Sequence, residues 1–182
     1  MENAVNDRIN LRSMCLVGVM AAVTCVLAPL SIPIGPVPVS LTNLAVYLSL
    51  YLLGMRLGVL SYLVYVLLGM AGLPVFSGFT GGLGKLMGPT GGYIIGFIPM
   101  GIIGGVAVER FSNRALHFLA LAIGTAVCYA LGTAWFCVVM RVGVVAALSQ
   151  TVLPFIPVDL VKITIAVLIG PVIRARVTAV RR

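Results

Sequence analysis

The sequence predicts an all-α membrane protein: six transmembrane helices in one bundle, both termini cytoplasmic, and a glycine-rich outer cap loop between the third and fourth helices. Three observations predict it: the apolar content, the segmentation of the apolar runs, and the placement of the arginines. Of 182 residues, 61% are hydrophobic and 9% are charged, with a mean hydropathy of +1.18. Soluble domains average roughly 25% charged and about 45–50% apolar residues. A soluble domain this small has too much surface for its volume to hide the excess. Lipid must cover it. The composition therefore excludes a soluble enzyme, a disordered regulator and a nucleic-acid-binding module, and the length accommodates about six spans of roughly 20 residues.

The first apolar run, Met14–Leu30, follows Arg8 and Arg12, as the apolar part of a signal peptide would. It lacks an A-x-A-like cleavage pattern and further spans follow it, so it reads as a retained helix. The second and third, Leu41–Leu53 and Gly58–Ala71, are short for a full crossing and are expected to tilt or to share coverage with loops. Gly92–Val108, Leu116–Met140 and Leu153–Ile173 complete the set. Backbone groups in lipid must satisfy one another, which runs of this length do as helices. Neither barrel-type alternation nor a fixed repeat is present, and no linker divides residues 1–182.

The formal net charge of +8 would suggest nucleic acid in a soluble protein, but basic residues beside apolar spans report orientation. With six spans, Arg8, Arg12, Arg56, Arg110, Arg114, Arg174, Arg176, Arg181 and Arg182 all face one side, leaving Lys85, Arg141 and Lys162 toward the other. Five or seven spans would scatter them. The four cysteines, Cys15, Cys25, Cys128 and Cys137, lie within apolar runs with no CxxC pair. They read as packing residues rather than disulfide or metal ligands, and no metal or cofactor is expected.

The outer connections carry the unusual sequence. Ile32 to Pro38 holds three prolines and is expected to be extended and stiff. Gly72 to Tyr93 is long, apolar and glycine-rich, which disfavours a solvated or disordered loop and suggests a structured cap over the outer mouth. Within it, Gly88-Pro89-Thr90-Gly91-Gly92 precedes the fourth span, where Thr90 is placed to cap the helix and leave free N–H groups for an anion. These glycines equally suit tight packing alone. The order of a Walker loop is absent.

Asp159 is the only acid in the apolar body, and Lys162 follows three residues later on the same helical face. Ionisable groups in membrane helices are costly and usually line a cavity. The pair is either a binding site or an internal ion pair that neutralises itself. Trp135 and Tyr129 on the fifth span read equally as interfacial aromatics or as a cavity wall. On the first span, Gly18 and Ala22 are spaced for close helix approach, whether internal or with a partner. His117 is assigned no role.

The blocks Pro36-Val37-Pro38-Val39-Ser40-Leu41, Gly69 to Phe76 (containing GLPVF), Gly88 to Tyr93 (GPTGGY) and Pro154 to Lys162 (PFIPVDLVK) together resemble the BioY family. These are the biotin-specific substrate-binding (S) components of energy-coupling factor (ECF) transporters. Tyr129 to Trp135 is similar to the family's fifth-helix motif, and the likeness runs from about Gly18 to Ile173 in order. The resemblance implies a single transmembrane substrate-binding domain that captures biotin outside. It would present the vitamin to a transmembrane T component and two cytoplasmic ATPase subunits, with no catalytic chemistry of its own.

The resemblance further implies that Gly18 and Ala22 meet the T component. It places the substrate-binding site at Asp159 and Lys162, with the cap from Gly78 to Tyr93 closing over it. Thr80, Gly91, Tyr93, Trp135 and Asn43 complete the candidate substrate-binding set. Thr80 and Val158 depart from the family pattern. Biotin's ureido N–H groups need an acceptor, for which Asp159 is available. Its carbonyl and carboxylate need donors, for which Lys162, Lys85, Thr80 and the Thr90 backbone are candidates. Phe79, Tyr93 and Trp135 would wall its bicyclic body. Two alternatives stay open: an S component for another small vitamin, and an autonomous ion-coupled transporter using Asp159. An intramembrane enzyme is disfavoured, because Ser77 has no evident base.

Overall fold

A computed structural model describes residues 11–33 and 36–179. Arg8, Arg181 and Arg182 of the basic set, and Ile34 and Gly35 of the first connection, lie outside the described residues. In order, the described elements are α1 (Leu11–Leu27), β1 (Ser31–Ile32), β2 (Val39–Ser40), α2 (Thr42–Met70), α3 (Leu83–Met87), α4 (Gly91–Arg110), α5 (Arg114–Met140), α6 (Val144–Thr151) and α7 (Phe155–Ala179). Among them α2, α4, α5 and Phe155–Arg176 of α7 are long and apolar enough to cross a membrane, while the 17-residue α1 is shorter.

The second and third apolar segments are the two arms of α2. The helix breaks at Gly54, whose φ of 82° is open to glycine but strained for other residues. A Cβ on Gly58 would sit 3.2 Å from Leu50 Cα. Eight residues of straight helix would separate those positions by about 12 Å, so the arms double back on each other. The Met55 N–H at the start of the second arm donates to Glu109 Oε1 of α4 at 2.6 Å, satisfying a donor exposed by the break. The sequence places this division between Leu53 and Gly58, and the break falls within it at Gly54, where the backbone needs positive φ.

Glycines set how closely α4 and α5 approach. A Cβ on Gly96 would meet Cys128, one on Gly104 would meet Leu121, and one on Gly124 would meet the backbone of Met100. Small residues every fourth position let two membrane helices touch through their backbones.

The connections hold more regular structure than expected. The proline-bearing segment pairs as a short antiparallel ladder, Ser31 with Ser40 and Ile32 with Val39. In the long connection, Phe76 and Thr80 exchange backbone hydrogen bonds of 2.9 and 3.4 Å. The Gly78 N–H reaches Pro29 O at 3.2 Å, the Gly82 N–H reaches Gly69 O at 2.7 Å, and α3 follows. Phe76 is buried at 1% exposure, seated in the notch over Gly69 with its ring edge-on to Tyr65 at 5.6 Å. The short helix α6 before α7 has no counterpart in the sequence reading.

Candidate functional site

A cavity opens between the start of α2, its second arm, α4, α5 and the start of α7. Its walls are largely aromatic and apolar, including Tyr62, Tyr65, Phe76, Phe97 and Phe155, while the polar groups gather around one carboxylate.

That carboxylate is Asp159, 6% exposed in the first turns of α7. Its Oδ1 accepts from Asn43 Nδ2 at 2.7 Å and from Lys162 Nζ at 3.0 Å. Its Oδ2 accepts from the Tyr129 hydroxyl at 2.6 Å. Lys162, 5% exposed, also donates to Ser40 O at 2.7 Å, at the end of β2. The i,i+3 spacing on α7 puts ammonium and carboxylate on one face. An isolated ion in this setting would be costly; a pair with further hydrogen bonds is tolerated. The result is a fixed acceptor flanked by one cation and two neutral donors, all facing the cavity.

The remaining polar walls are braced from behind. Tyr93 of α4 donates to Thr151 Oγ1 at 2.7 Å and lies 3.3 Å from Thr133 Oγ1, joining α4 to α5 and α6. Tyr47, fully buried, shares a 2.7 Å hydrogen bond with Thr125. Tyr62 donates to Ile94 O at 2.8 Å.

The structure brings Asp159, Lys162, Asn43 and Tyr93 together around this cavity. Thr80, Gly91 and Trp135 are not among the residues lining it. Thr80 is exposed and donates to Ser77 O at 3.0 Å, because the Phe76–Thr80 turn faces it outward while Ser77 points inward. Gly91 is buried under Leu86 O at the start of α4 and shapes the chain rather than presenting a group. Trp135 is 37% exposed on the far side of α5, where its indole N–H donates to Gly88 O at 3.0 Å and its Cβ packs on Gly92. It ties α5 to the end of the long connection.

Phe79, expected as a wall, is 66% exposed with φ of 56°, and Lys85 also lies outside the lining. Burial in the connection lowers the Lys85 ammonium below its usual pKa range. Thr90 faces the cavity, but its hydroxyl turns back to Lys85 O at 3.4 Å instead of capping α4, because α3 brings that carbonyl within reach. The role of Tyr129 at Asp159 has one signal in the sequence, its place near Trp135 in the fifth-helix motif.

These features define a class: a multi-pass membrane protein of apolar helices surrounding a chamber with a buried charge pair. The chain belongs to the BioY family, whose model matches residues 1–179. It is 40% identical over 161 residues to the biotin transporter BioY of Thermotoga maritima, covering 88% of this chain and 94% of that one. It is likewise 40% identical over 159 residues to a BioY relative from Pyrococcus horikoshii, covering 87% and 94%. The fold matches the crystal structure of the S-component for biotin from an ECF-type ABC transporter, with a TM-score of 0.85, 26% identity, and 94% and 95% of the two chains covered.

Proposed function

We propose that the chain captures biotin in this chamber as the S component of an ECF transporter in the cell membrane. The observation that carries the reading is Asp159: a buried carboxylate held by donors from α2, α5 and α7, facing a cavity with apolar walls. A ureido ring offers N–H groups to such an acceptor and a carbonyl to a neighbouring ammonium, and the hydrocarbon body needs apolar walls. Asp159, Lys162, Asn43 and Tyr93 are the contacts we assign, with Tyr129 orienting the acid.

In this reading the two arms of α2 count as separate crossings, giving six segments with both termini cytoplasmic. The doubling-back at Gly54 and the position of Arg56 beside it support that count. The chain is a binding component and not an enzyme, so ATP hydrolysis falls to two cytoplasmic ATPase subunits, linked through a transmembrane T component. Gly18 and Ala22 are exposed on α1, and a Cβ on Gly18 would have no neighbour within 4 Å, which supports their assignment to the partner-facing side.

Binding measured on the purified protein tests the proposal. Submicromolar biotin affinity, lost in Asp159→Asn and not matched by thiamine or riboflavin, is expected. Micromolar-or-weaker biotin binding, or unchanged affinity in Asp159→Asn, would count against it. Proton- or sodium-dependent uptake without any ATPase would favour an autonomous carrier. The three donors on Asp159 argue against that mode, since a coupling carboxylate must exchange its own proton or ion.

A further inference from the structure

The bundle end remote from the chamber, where α2 breaks and α4 gives way to α5, contains a second cluster of interacting groups. Tyr51, 1% exposed, shares a 3.2 Å hydrogen bond with His117 Nδ1 of α5, the rings edge-on at 5.6 Å. His117 Nε2 lies 2.9 Å from Phe111 O, just beyond α4, and donates to that carbonyl. Gly170 of α7 packs against the tyrosine ring. Arg174 of α7 donates to Val108 O of α4 at 3.1 Å, which fixes its side chain over this junction.

Arg114 lies three residues before His117 on α5 and Arg174 four residues after Gly170 on α7, and His117 and Gly170 both meet Tyr51, so two guanidinium-bearing residues approach this junction from different helices. Arg110 and Arg56 stand nearby in the chain at the same helix ends, and all four arginines are exposed. The acid at this end among the described residues, Glu109, is engaged by the Met55 N–H. Directly along the helices from the two arginines lie exposed apolar residues: Leu116 and Leu119 on α5 at 39% and 54%, and Leu168 and Val172 on α7 at 54% and 50%.

We infer that Arg114 and Arg174 form a binding site for the headgroup of an anionic phospholipid, whose acyl chains lie on the adjoining faces of α5 and α7. Guanidinium groups pair with phosphate in forked geometry and keep their charge at every physiological pH. Basic clusters between helix ends, bordered by lipid-facing residues, are suited to anionic headgroups. Free phosphate satisfies the arginines equally but makes no use of the apolar faces, which favours lipid. The inference depends on membrane embedding and not on the identity of the chamber's ligand.

The test is native mass spectrometry of the purified protein from mixed phosphatidylglycerol and phosphatidylcholine, with biotin affinity recorded alongside to verify the fold. Wild type should retain phosphatidylglycerol preferentially, and Arg114→Gln with Arg174→Gln should reduce that retention about tenfold. Arg114→Gln alone, at an exposed side chain, should give a smaller loss in the same direction, while Arg141→Gln should change nothing. Equal retention of the two lipids, or full retention in both the single and double variants, overturns the inference. So does displacement by millimolar inorganic phosphate, which marks a free-anion site. Retention of anionic lipid only when partner subunits are present would assign the arginines to a protein interface instead.

Discussion

Tyr129 donates its hydroxyl to Asp159 Oδ2 at 2.6 Å, joining α5 to α7 across 30 residues of sequence. Asn43 does the same from α2 to Oδ1 at 2.7 Å. The acid is therefore oriented from both sides by neutral donors, and Lys162 supplies the counter-charge. A carboxylate held at both oxygens keeps one orientation toward the chamber, which lowers the ordering cost of binding.

Removing the tyrosine hydroxyl isolates that effect. Tyr129→Phe keeps the ring and loses a hydrogen bond to a charged group, worth about 1.5–3 kcal/mol. Biotin affinity measured by titration calorimetry should fall about 10- to 100-fold while the protein remains folded. Unchanged affinity would remove Tyr129 from the site.

The ion pair predicts an asymmetry between single and double replacement. Lys162→Met leaves Asp159 buried without its cation and should destabilise the protein by about 3–5 kcal/mol. Adding Asp159→Asn to Lys162→Met should restore most of the lost thermal stability in detergent, yet restore no biotin binding. A double variant as unstable as the single would show that the pair's charge is not what matters.

Gly132 of α5 lies against the Tyr93 ring, so an added side chain must displace that ring from the chamber wall. Gly132→Leu is expected to cost about 1–3 kcal/mol of stability through overpacking, with a loss of biotin binding. Gly143→Ala, where a Cβ would have no neighbour within 4 Å, is the matched control and should bind normally. Thermal unfolding and titration of both variants check the pair.

The exposed face of α1 separates binding from transport. Gly18→Leu and Ala22→Leu should leave biotin affinity unaltered and impair uptake in cells that supply the energy module. Normal co-purification of these variants with a T component would place the contact elsewhere.

Scarcity made parts of the site legible. In a chain with 9% charged residues, an acid and a lysine three apart inside an apolar run identify themselves. Asn43 shows a different limit. With Tyr47 and Tyr51 it forms a line four residues apart, and each pairs across to another helix: Asn43 with Asp159, Tyr47 with Thr125, Tyr51 with His117. The spacing was visible, but which helix faces it depends on the doubling-back at Gly54, a long-range property. Trp135 and Thr80 lie outside the chamber lining for local reasons. One residue of rotation around α5, or one step in the Phe76–Thr80 turn, moves a side chain from chamber to exterior. The packing role of the α4 glycines is not legible in sequence, because close packing reveals itself only when the opposing helix is known.

The donors on Asp159 come from three helices that are far apart in sequence, and α7 is the last of them to leave the ribosome. No partial chain lacking α7 contains the acid at all. The chamber thus reports on the docking of α7: a ligand that requires this carboxylate can bind only once that helix is in place, and saturating ligand should then slow α7's departure and protect the bundle from proteolysis.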